Sequence, residues 1–470
     1  MYRSIYLPLD NSPLSLAGVD LAIDLAGRSG ALLTGSHVYA AKLHDRRFRQ
    51  MEGGLPEPYR KEEKLVEQRD IHDDLITRGL RVISDSYLEV FAERCSRAGL
   101  DFRRVALEGK NWQKLVEDIG ASDADLVVMG ALGLGAVVSS QLGSVCERVA
   151  RRIDRDLLVV RDPESRADGT IAVALDGSAQ SWGALLSALE LGRHLGRRVE
   201  AVAAFDPEFH YVAFNSIAKV LSPAAASVFR FQQQEKLHED IIDTGLAKIY
   251  QSHLDIAAGL ARDAGTEIAT RLLSGKPFEQ LLRYARETKP WLLVLGRTGV
   301  HSEAGMDLGS ATENLLRLAP CNLLLSARSF EPPVEKIADA TMAWTKEAEQ
   351  RMGRVPEFAR GMARSAILRH AALQGHTVIT SDVIDGALGR MPGGKCPFAG
   401  QGEKEQGSSA TPEAPMAWET SARARLDQLP SQVRDHARLR IEKLARRMKC
   451  ASVNDAVMDA ASRAVAEMLG

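Results

Sequence analysis

Two glycine patterns carry the clearest chemistry in this chain. Gly130-x-x-Gly133 is followed by nine residues and then Gly143-Ser144, and Gly296-x-x-Gly299 by nine residues and then Gly309-Ser310. Each pattern follows an apolar run, Leu126-Val127-Val128-Met129 or Leu292-Leu293-Val294-Leu295, that reads as a buried strand. Glycines at the carboxyl end of such a strand let backbone N–H groups approach a polyphosphate without side-chain obstruction. A helix opening at Ser144 or Ser310 adds unpaired N–H donors and positive potential, and the serine hydroxyl is one more donor. Asp10 and Asp176 end the runs Ile5 to Leu9 and Ile171 to Leu175. A carboxylate at a strand end, facing the same crevice, suits ribose hydroxyls or a base edge.

These residues recur at one spacing. Asp10 and Asp176, Gly109 and Gly275, Gly130 and Gly296, Gly133 and Gly299, Gly143 and Gly309, and Ser144 and Ser310 are each 166 apart. His72 and His238, Gly79 and Gly245, and Leu80 and Leu246 keep that register through the intervening helical stretch. Residues 1–164 and 167–330 therefore read as two copies of one domain. Each copy alternates strand and helix. The strands are the runs already named, Leu32 to Tyr39 and Val199 to Phe205, Phe102 to Leu107 and Glu267 to Leu273, and a last run, Leu157 to Val160 or Leu323 to Leu325. Ser12 and Ser178 are helix N-caps by type. Long helical regions are expected over about 60–98 and 226–264, with apolar positions such as Leu75, Leu80, Ile83 and Leu88. Continuous apolar strands separated by helices predict an α/β fold with a parallel sheet covered on both faces.

Composition narrows the function. The 470 residues suggest about three domains. Sixty Lys+Arg against 62 Asp+Glu leave a formal net charge of -2, which supplies no global field for nucleic acid or an anionic membrane. No apolar run approaches the roughly 20 residues of a membrane span, and the start of the chain lacks signal-peptide features. Five scattered cysteines without a CxxC argue against a disulfide framework or a multi-cysteine metal site, and for a cytoplasmic protein.

The loop spacing, its place after the fourth strand and the aspartate after the first, present in both copies, closely resemble the ATP-binding subgroup of the universal stress protein family. The resemblance covers about residues 1–330. It implies two Rossmann-like domains in tandem, each with five parallel strands, binding ATP or a related adenine nucleotide with or without Mg2+. The implied nucleotide-binding residues are Asp10, Asn11, Ser12, Gly130, Gly133, Gly143, Ser144 and Val145 in the first copy. In the second they are Asp176, Gly177, Ser178, Gly296, Arg297, Gly299, Gly309, Ser310 and Ala311. It also implies domain pairing through the last strands, within one chain as a pseudo-dimer or again between chains as a homodimer.

The two loops differ. Ala131 to Val138 is apolar, whereas Arg297 to Ala304 is polar and carries a cation. The second copy is therefore expected to be the main nucleotide site. The first loop either packs against a partner or binds more weakly. No Gly-Lys-Ser/Thr pattern and no arginine finger stand out, so binding with at most slow hydrolysis is expected. His301 and Glu303 are acid–base candidates, with solvated loop residues the favoured reading. His72-x-Asp74 and His238-x-Asp240 do not face one point on a helix and read as solvated or interdomain surface rather than a metal site.

The last third holds a second repeat, spaced 74. Met342-Ala343-Trp344 returns as Met416-Ala417-Trp418, and Arg351, Pro356, Arg360, Arg364, Ile367 and Ala371 return as Arg425, Pro430, Arg434, Arg438, Ile441 and Ala445. Two small all-α domains are expected, 340–390 and 416–465, joined by a flexible linker over 391–415 that holds Cys396 as a free thiol. Trp344 and Trp418 read as core anchors. The arginine rows read either as a solvated face or as a contact for an anion or an acidic partner. The pattern looks like the small C-terminal helical domain of the light-independent protochlorophyllide reductase B subunit. Its cluster-binding body has no counterpart here, so no reductase activity is carried over. The resemblance implies a protein partner for the tail, or, as the alternative, an accessory role in a nitrogenase-like or tetrapyrrole-related redox system.

Overall fold

The computed structural model describes residues 1–164, 169–207, 244–303, 305–388, 416–427, 438, 441–442, 444–445, 448, 450 and 452–460. His238, Asp240, Cys396, Pro430, Arg434 and the expected linker lie outside them. The chain divides into two units, Met1–Pro332 and Pro333–Gly470.

In the first unit, the first copy runs β1 (Ser4–Pro8), α1 (Pro13–Ser29), β2 (Leu32–Tyr39), α2 (Ala41–Met51), α3 (Glu62–Ala98), β3 (Phe102–Glu108), α4 (Asn111–Ala121), β4 (Leu126–Gly130), α5 (Ser144–Ala150) and β5 (Asp156–Val160). The second copy runs β6 (Ile171–Leu175), α6 (Ala179–Leu195), β7 (Val199–Phe205), α7 (Thr244–Asp263), β8 (Ala269–Ser274), α8 (Pro277–Thr288), β9 (Leu292–Gly296), α9 (Ser310–Leu318) and β10 (Asn322–Ser326). The ten strands form one sheet in the order β3-β2-β1-β4-β5-β10-β9-β6-β7-β8. Pairing is parallel within each copy and antiparallel at the β5–β10 seam, where Leu158 faces Leu324, Val159 faces Leu323 and Leu157 faces Leu325. Leu158 and Leu324 are themselves 166 apart, so a pseudo-twofold axis passes between them. This is the intrachain pseudo-dimer that the family resemblance implies.

The sheet's burial follows its order. Both seam strands are buried along their full length, while the edge strands β3 and β8 are largely open, as expected where only central strands have neighbours on both sides. The cap chemistry is duplicated as well. Ser12 accepts from the Ser15 N–H and Ser178 from the Ser181 N–H, while Gly30 (φ 69°) and Gly196 (φ 67°) end α1 and α6 in left-handed backbone. One core runs across the seam beneath α4, α5, α8 and α9, built from Tyr6, Leu115, Ile119, Leu157, Leu282, Leu293, Leu315 and Leu323 among others. The expected apolar face of the 37-residue helix α3 is only partly buried. Ser84, Leu88, Phe91, Ala92 and Cys95 are buried, but Ile83 is exposed.

Asp156, at the foot of β5, is buried in the seam. Its carboxylate accepts from Tyr2 Oη (2.6 Å), Ser326 Oγ (3.3 Å) and the Ala327 N–H (2.7 Å). Desolvation outweighs these bonds and raises its pKa. The unfolded chain ionises an aspartate near pH ~3.9. The stability held by the protonated native form is therefore complete below about pH 4 and is lost as pH rises through the native pKa. The second copy already carries the neutral amide here: Asn322, 166 residues on, accepts from the Arg161 N–H at 3.0 Å. Asp156→Asn is expected to flatten the decline of the thermal midpoint above about pH 4 and to leave the pH 7 midpoint equal or higher. Melting curves from pH 4 to 7 read this directly. An unchanged slope with a lower pH 7 midpoint would contradict it.

The second unit contains α10 (Val334–Thr341), β11 (Ala343–Trp344), α11 (Lys346–Gly353), α12 (Glu357–Leu373), β12 (Val378–Ile379), α13 (Ser381–Leu388), β13 (Ala417–Trp418), α14 (Thr420–Asp427) and β14 (Ser452–Val453) among the described residues. The 74-residue spacing is visible in the packing. Ala348, Ile367, Ala371, Ile379 and Val383 are buried in one core, and Ala422, Ile441, Ala445, Val453 and Val457 in the other. Arg351 pairs with Asp385, and Arg425 at the repeat position pairs with Asp459. Two features go beyond the helical expectation. The pairs β11–β12 and β13–β14 form short parallel ladders, and α10 contributes Ala338 to the core ahead of residue 340. Trp344 and Trp418 pack against their cores. Arg364 is engaged locally, bonded to Asp339 at 2.6 Å with its guanidinium over the Trp344 ring. Arg360 donates to the Gly353 and Val355 carbonyls, and Arg438 pairs with Glu442.

Candidate nucleotide-binding crevices

Each copy has a crevice at the carboxyl ends of its strands. The second is lined by Asp176, Ser181, Gly296, Thr298, Gly299, Val300, His301, Gly309, Ser310 and Ala311, over a floor that includes Val202, Ala204 and Leu295. The first is lined by Asp10, Ser12, Gly130, Gly133, Gly143, Ser144 and Val145, with Ser36, His37, Asn111 and Ser140.

The carboxylates shape the loops. Asp10 accepts from the Ser12 N–H (3.0 Å) and the Leu134 N–H (3.0 Å). Asp176 accepts from the Ser178 N–H (3.0 Å) and the Val300 N–H (2.9 Å). Each aspartate thus joins the strand-one turn to the glycine loop, with lone pairs left over for a ligand. Asn11 and Gly177 make that turn with positive φ (53° and 84°). They do not line the crevices, nor does Ser178, whose hydroxyl caps α6.

The glycines have separate tasks. A Cβ on Gly296 would lie 3.0 Å from the Gln180 carbonyl carbon, and one on Gly130 2.9 Å from Leu14 Cβ, so these two let the fourth strand approach the first helix. A Cβ on Gly299 would lie 2.5 Å from Asp176 Oδ2, and one on Gly133 would collide with Asp10 Oδ2. Gly143 and Gly309 spend their N–H groups on the Ala131 and Arg297 carbonyls (2.7 and 2.8 Å). The donors left for a ligand are those of the next turn. The first bond of α9 runs from the Glu313 N–H to the Gly309 carbonyl, which leaves the N–H groups of Ser310, Ala311 and Thr312 without an intrahelical partner.

Arg297 corrects the sequence reading. Its side chain is 7% exposed and turns away from the crevice, donating through Nη2 to the Ala150 carbonyl across the seam. The second loop therefore brings no cation to the crevice through this residue. The reason is tertiary: β5–β10 pairing places the orphan carbonyl of α5 within its reach. The second loop has two braces that the first lacks. Gln180 Oε1 accepts from the Thr298 N–H at 2.8 Å, and Thr312 Oγ1 donates to the Gly296 carbonyl at 2.9 Å. The counterparts of Gln180 and Thr312 are Leu14 and Cys146.

Several lining residues escaped the sequence reading. His37, at the end of β2, bonds Ser84 Oγ through Nδ1 at 2.8 Å and lies edge-on to Tyr87, and burial lowers its pKa. In the second copy Tyr250 lines the crevice, with His253 beside Trp182 and against Gly177. Burial holds the His253 pKa down, against the pull of Asp176. Position at a strand's carboxyl end was the signal available for His37. Tyr250 and His253 stand on a long helix and had none. His301 and Glu303 are exposed on the loop. His72 stacks on Phe48 at 4.0 Å and Asp74 pairs with Arg78, so this pair serves local packing. Among the described residues, no group of three or more His, Cys, Asp and Glu is placed to hold a metal ion.

The universal stress protein family model matches residues 1–161 and 169–326. The chain belongs to the universal stress protein family. A family model described as the proto-chlorophyllide reductase 57 kD subunit matches residues 344–387. Among similar proteins, a universal stress protein of Methanocaldococcus jannaschii is 29% identical over 164 residues, covering 35% of this chain and 85% of that protein. One from Mycobacterium tuberculosis is 34% identical over 107 residues, covering 21% of this chain and 73% of its own length. The crystal structure of a universal stress protein from Archaeoglobus fulgidus covers 69% of this chain and 97% of its own, at 15% identity and a TM-score of 0.45. A universal stress protein solved in complex with cAMP is 25% identical, covering 34% of this chain and 97% of its own, with a TM-score of 0.23. No helix among the described residues is long and apolar enough to cross a membrane.

Proposed function

We propose that this tandem universal stress protein binds ATP or a related adenine nucleotide, with or without Mg2+, in both crevices as a regulatory ligand in the cytoplasm. The observation that carries this reading is the duplicated loop. In each copy an aspartate oxygen accepts the N–H one residue beyond the middle glycine, and that glycine leaves room for the carboxylate. The loop N–H groups and the first turn of α9 then form a fixed cradle for a polyphosphate. The aspartate keeps acceptor capacity for ribose hydroxyls, and the apolar floor takes the base. Mg2+ would be held by the nucleotide phosphates rather than by a protein cluster. Bound nucleotide acts by shifting conformational populations, and the helical tail docks a protein partner. An accessory role in a reductase system is the second reading, and it rests on the match over 344–387.

The second loop is the polar one, and Gln180 and Thr312 hold it at both ends, which favours the second crevice as the tighter site. Calorimetric ATP titration of Asp176→Ala is therefore expected to show a larger loss of total affinity than Asp10→Ala. Equal losses would remove the asymmetry, and absence of binding by the unaltered chain would remove the function.

A further inference from the structure

Two arginines, Arg297 buried and Arg161 partly buried, cross the β5–β10 seam in opposite directions. Arg161, at the end of the first copy's last strand, donates through Nη2 to the Leu316 carbonyl in the last turn of α9. Its Nη1 reaches the Gln141 carbonyl of the first copy's own glycine loop at 3.3 Å. Arg297, in the second copy's loop, donates to the carbonyl of Ala150, the last residue of α5. Ala150 and Leu316 are counterparts at the 166-residue spacing, but the arginines are not: Ala327 and Ala131 stand at their equivalent positions. One contact is thus made twice from unrelated sequence positions. In each case a guanidinium meets a last-turn carbonyl left orphaned by the helix, at the negative end of its dipole.

The helices so gripped are also locked to one another. Arg151 pairs with Glu313 at 2.6 Å and Arg317 with Glu147 across the seam, while Arg317 and Glu313 also pair within α9 at 2.7 Å. Arg151 further contacts Asp307 of the second loop at 3.1 Å. Arg161 and Arg297 are costly as simple adhesive. Burial drives both of their pKa values down, and Arg161 Nε and Arg297 Nη1 have no partner among the described residues. Apolar side chains would hold such a seam as well or better.

We propose that the second crevice is a composite site, in which Arg161 of the first copy is a positioning residue that fixes α9, and with it the Ser310–Thr312 N–H groups, for nucleotide. Arg297 answers it from the other side, so that seam geometry and nucleotide binding are linked. This inference rests on the nucleotide reading above. It adds that a residue belonging to one copy sets the affinity of the other.

The test is ATP calorimetry on the full chain carrying Asp10→Ala, which leaves the second crevice as the site read out, with and without Arg161→Met. A coupling of the usual size predicts roughly 5- to 20-fold weaker binding with Arg161→Met. Arg161→Lys, which keeps the cation but cannot bridge two carbonyls, should fall between. Arg104→Gln removes a charge on the edge strand β3, where it pairs with Glu89 away from the seam and both glycine loops, and should leave the affinity within about twofold of the parent. Second-crevice affinity unchanged by Arg161→Met, with only the melting temperature lowered, would overturn the proposal and leave Arg161 as seam packing. If Arg161→Met does not fold, Arg161→Lys with parental affinity overturns it equally. An unaltered chain that takes up no ATP overturns the nucleotide reading itself, and this inference with it.

Discussion

Gly299→Ala is expected to cost the second crevice roughly 10- to 100-fold in ATP affinity. The added Cβ would lie 2.5 Å from Asp176 Oδ2, and a carboxylate that yields must release the Val300 N–H it holds at 2.9 Å. Losing a hydrogen bond to a charged group costs about 1.5–3 kcal/mol, which converts to that range at about 1.4 kcal/mol per tenfold. The cause can be isolated. In an Asp176→Ala background the Cβ has no carboxylate to meet, so Gly299→Ala should then add almost nothing, and calorimetry of the double-mutant cycle would return a large coupling. Additive losses would place the effect elsewhere in the loop.

Gly183→Ala is the second large effect, and its sign is the unusual part. Glycine to alanine inside a helix ordinarily stabilises by about 0.5–1 kcal/mol. Gly183 lies in α6, and a Cβ there would fall well inside van der Waals contact of the Arg328 carbonyl oxygen. That backbone cannot swing aside cheaply. Phe330 donates to the Ala179 carbonyl at 2.9 Å, Arg328 pairs with Glu190 at 2.7 Å, and the Ala327 N–H is held by Asp156. Overpacking against fixed backbone costs about 3 kcal/mol, the upper end of its usual range. For a domain of this size that lowers the thermal midpoint by roughly 5–10 °C. Gly79→Ala, mid-helix in α3 with open space around it, should instead leave the midpoint unchanged or raise it. If both substitutions raise it, the segment leaving β10 does not approach α6 this closely.

The contrast between these glycines marks how far the sequence could be read. The 166-residue spacing exposed the duplicated loop, the paired aspartates and the caps Ser12 and Ser178, because each is a local signal with a fixed offset. The inward turn of Asp10 and Asp176 follows from their place at strand ends. Arg297 was misread because its partner, the Ala150 carbonyl, is 147 residues away and comes near only when β5 and β10 pair. A polar loop residue carries no sign of which way it will face. Tyr250 reaches the second crevice, and His253 the turn at Gly177, through tertiary packing of α7, which periodicity does not encode. In the tail, the two-residue strands at Trp344 and Trp418 are too short for any alternation to register. Ile83 illustrates the opposite failure, an apolar residue at a helical spacing on a face of α3 left exposed among the described residues.

Equilibrium dialysis of labelled ATP against the full chain counts its nucleotide sites. Saturation near two nucleotides per chain is expected, falling toward one in Asp10→Ala or Asp176→Ala and toward none when both are replaced. A folded chain that retains no ATP above the free concentration, or that retains it undiminished after both aspartates are gone, would show that the duplicated crevices are not nucleotide sites.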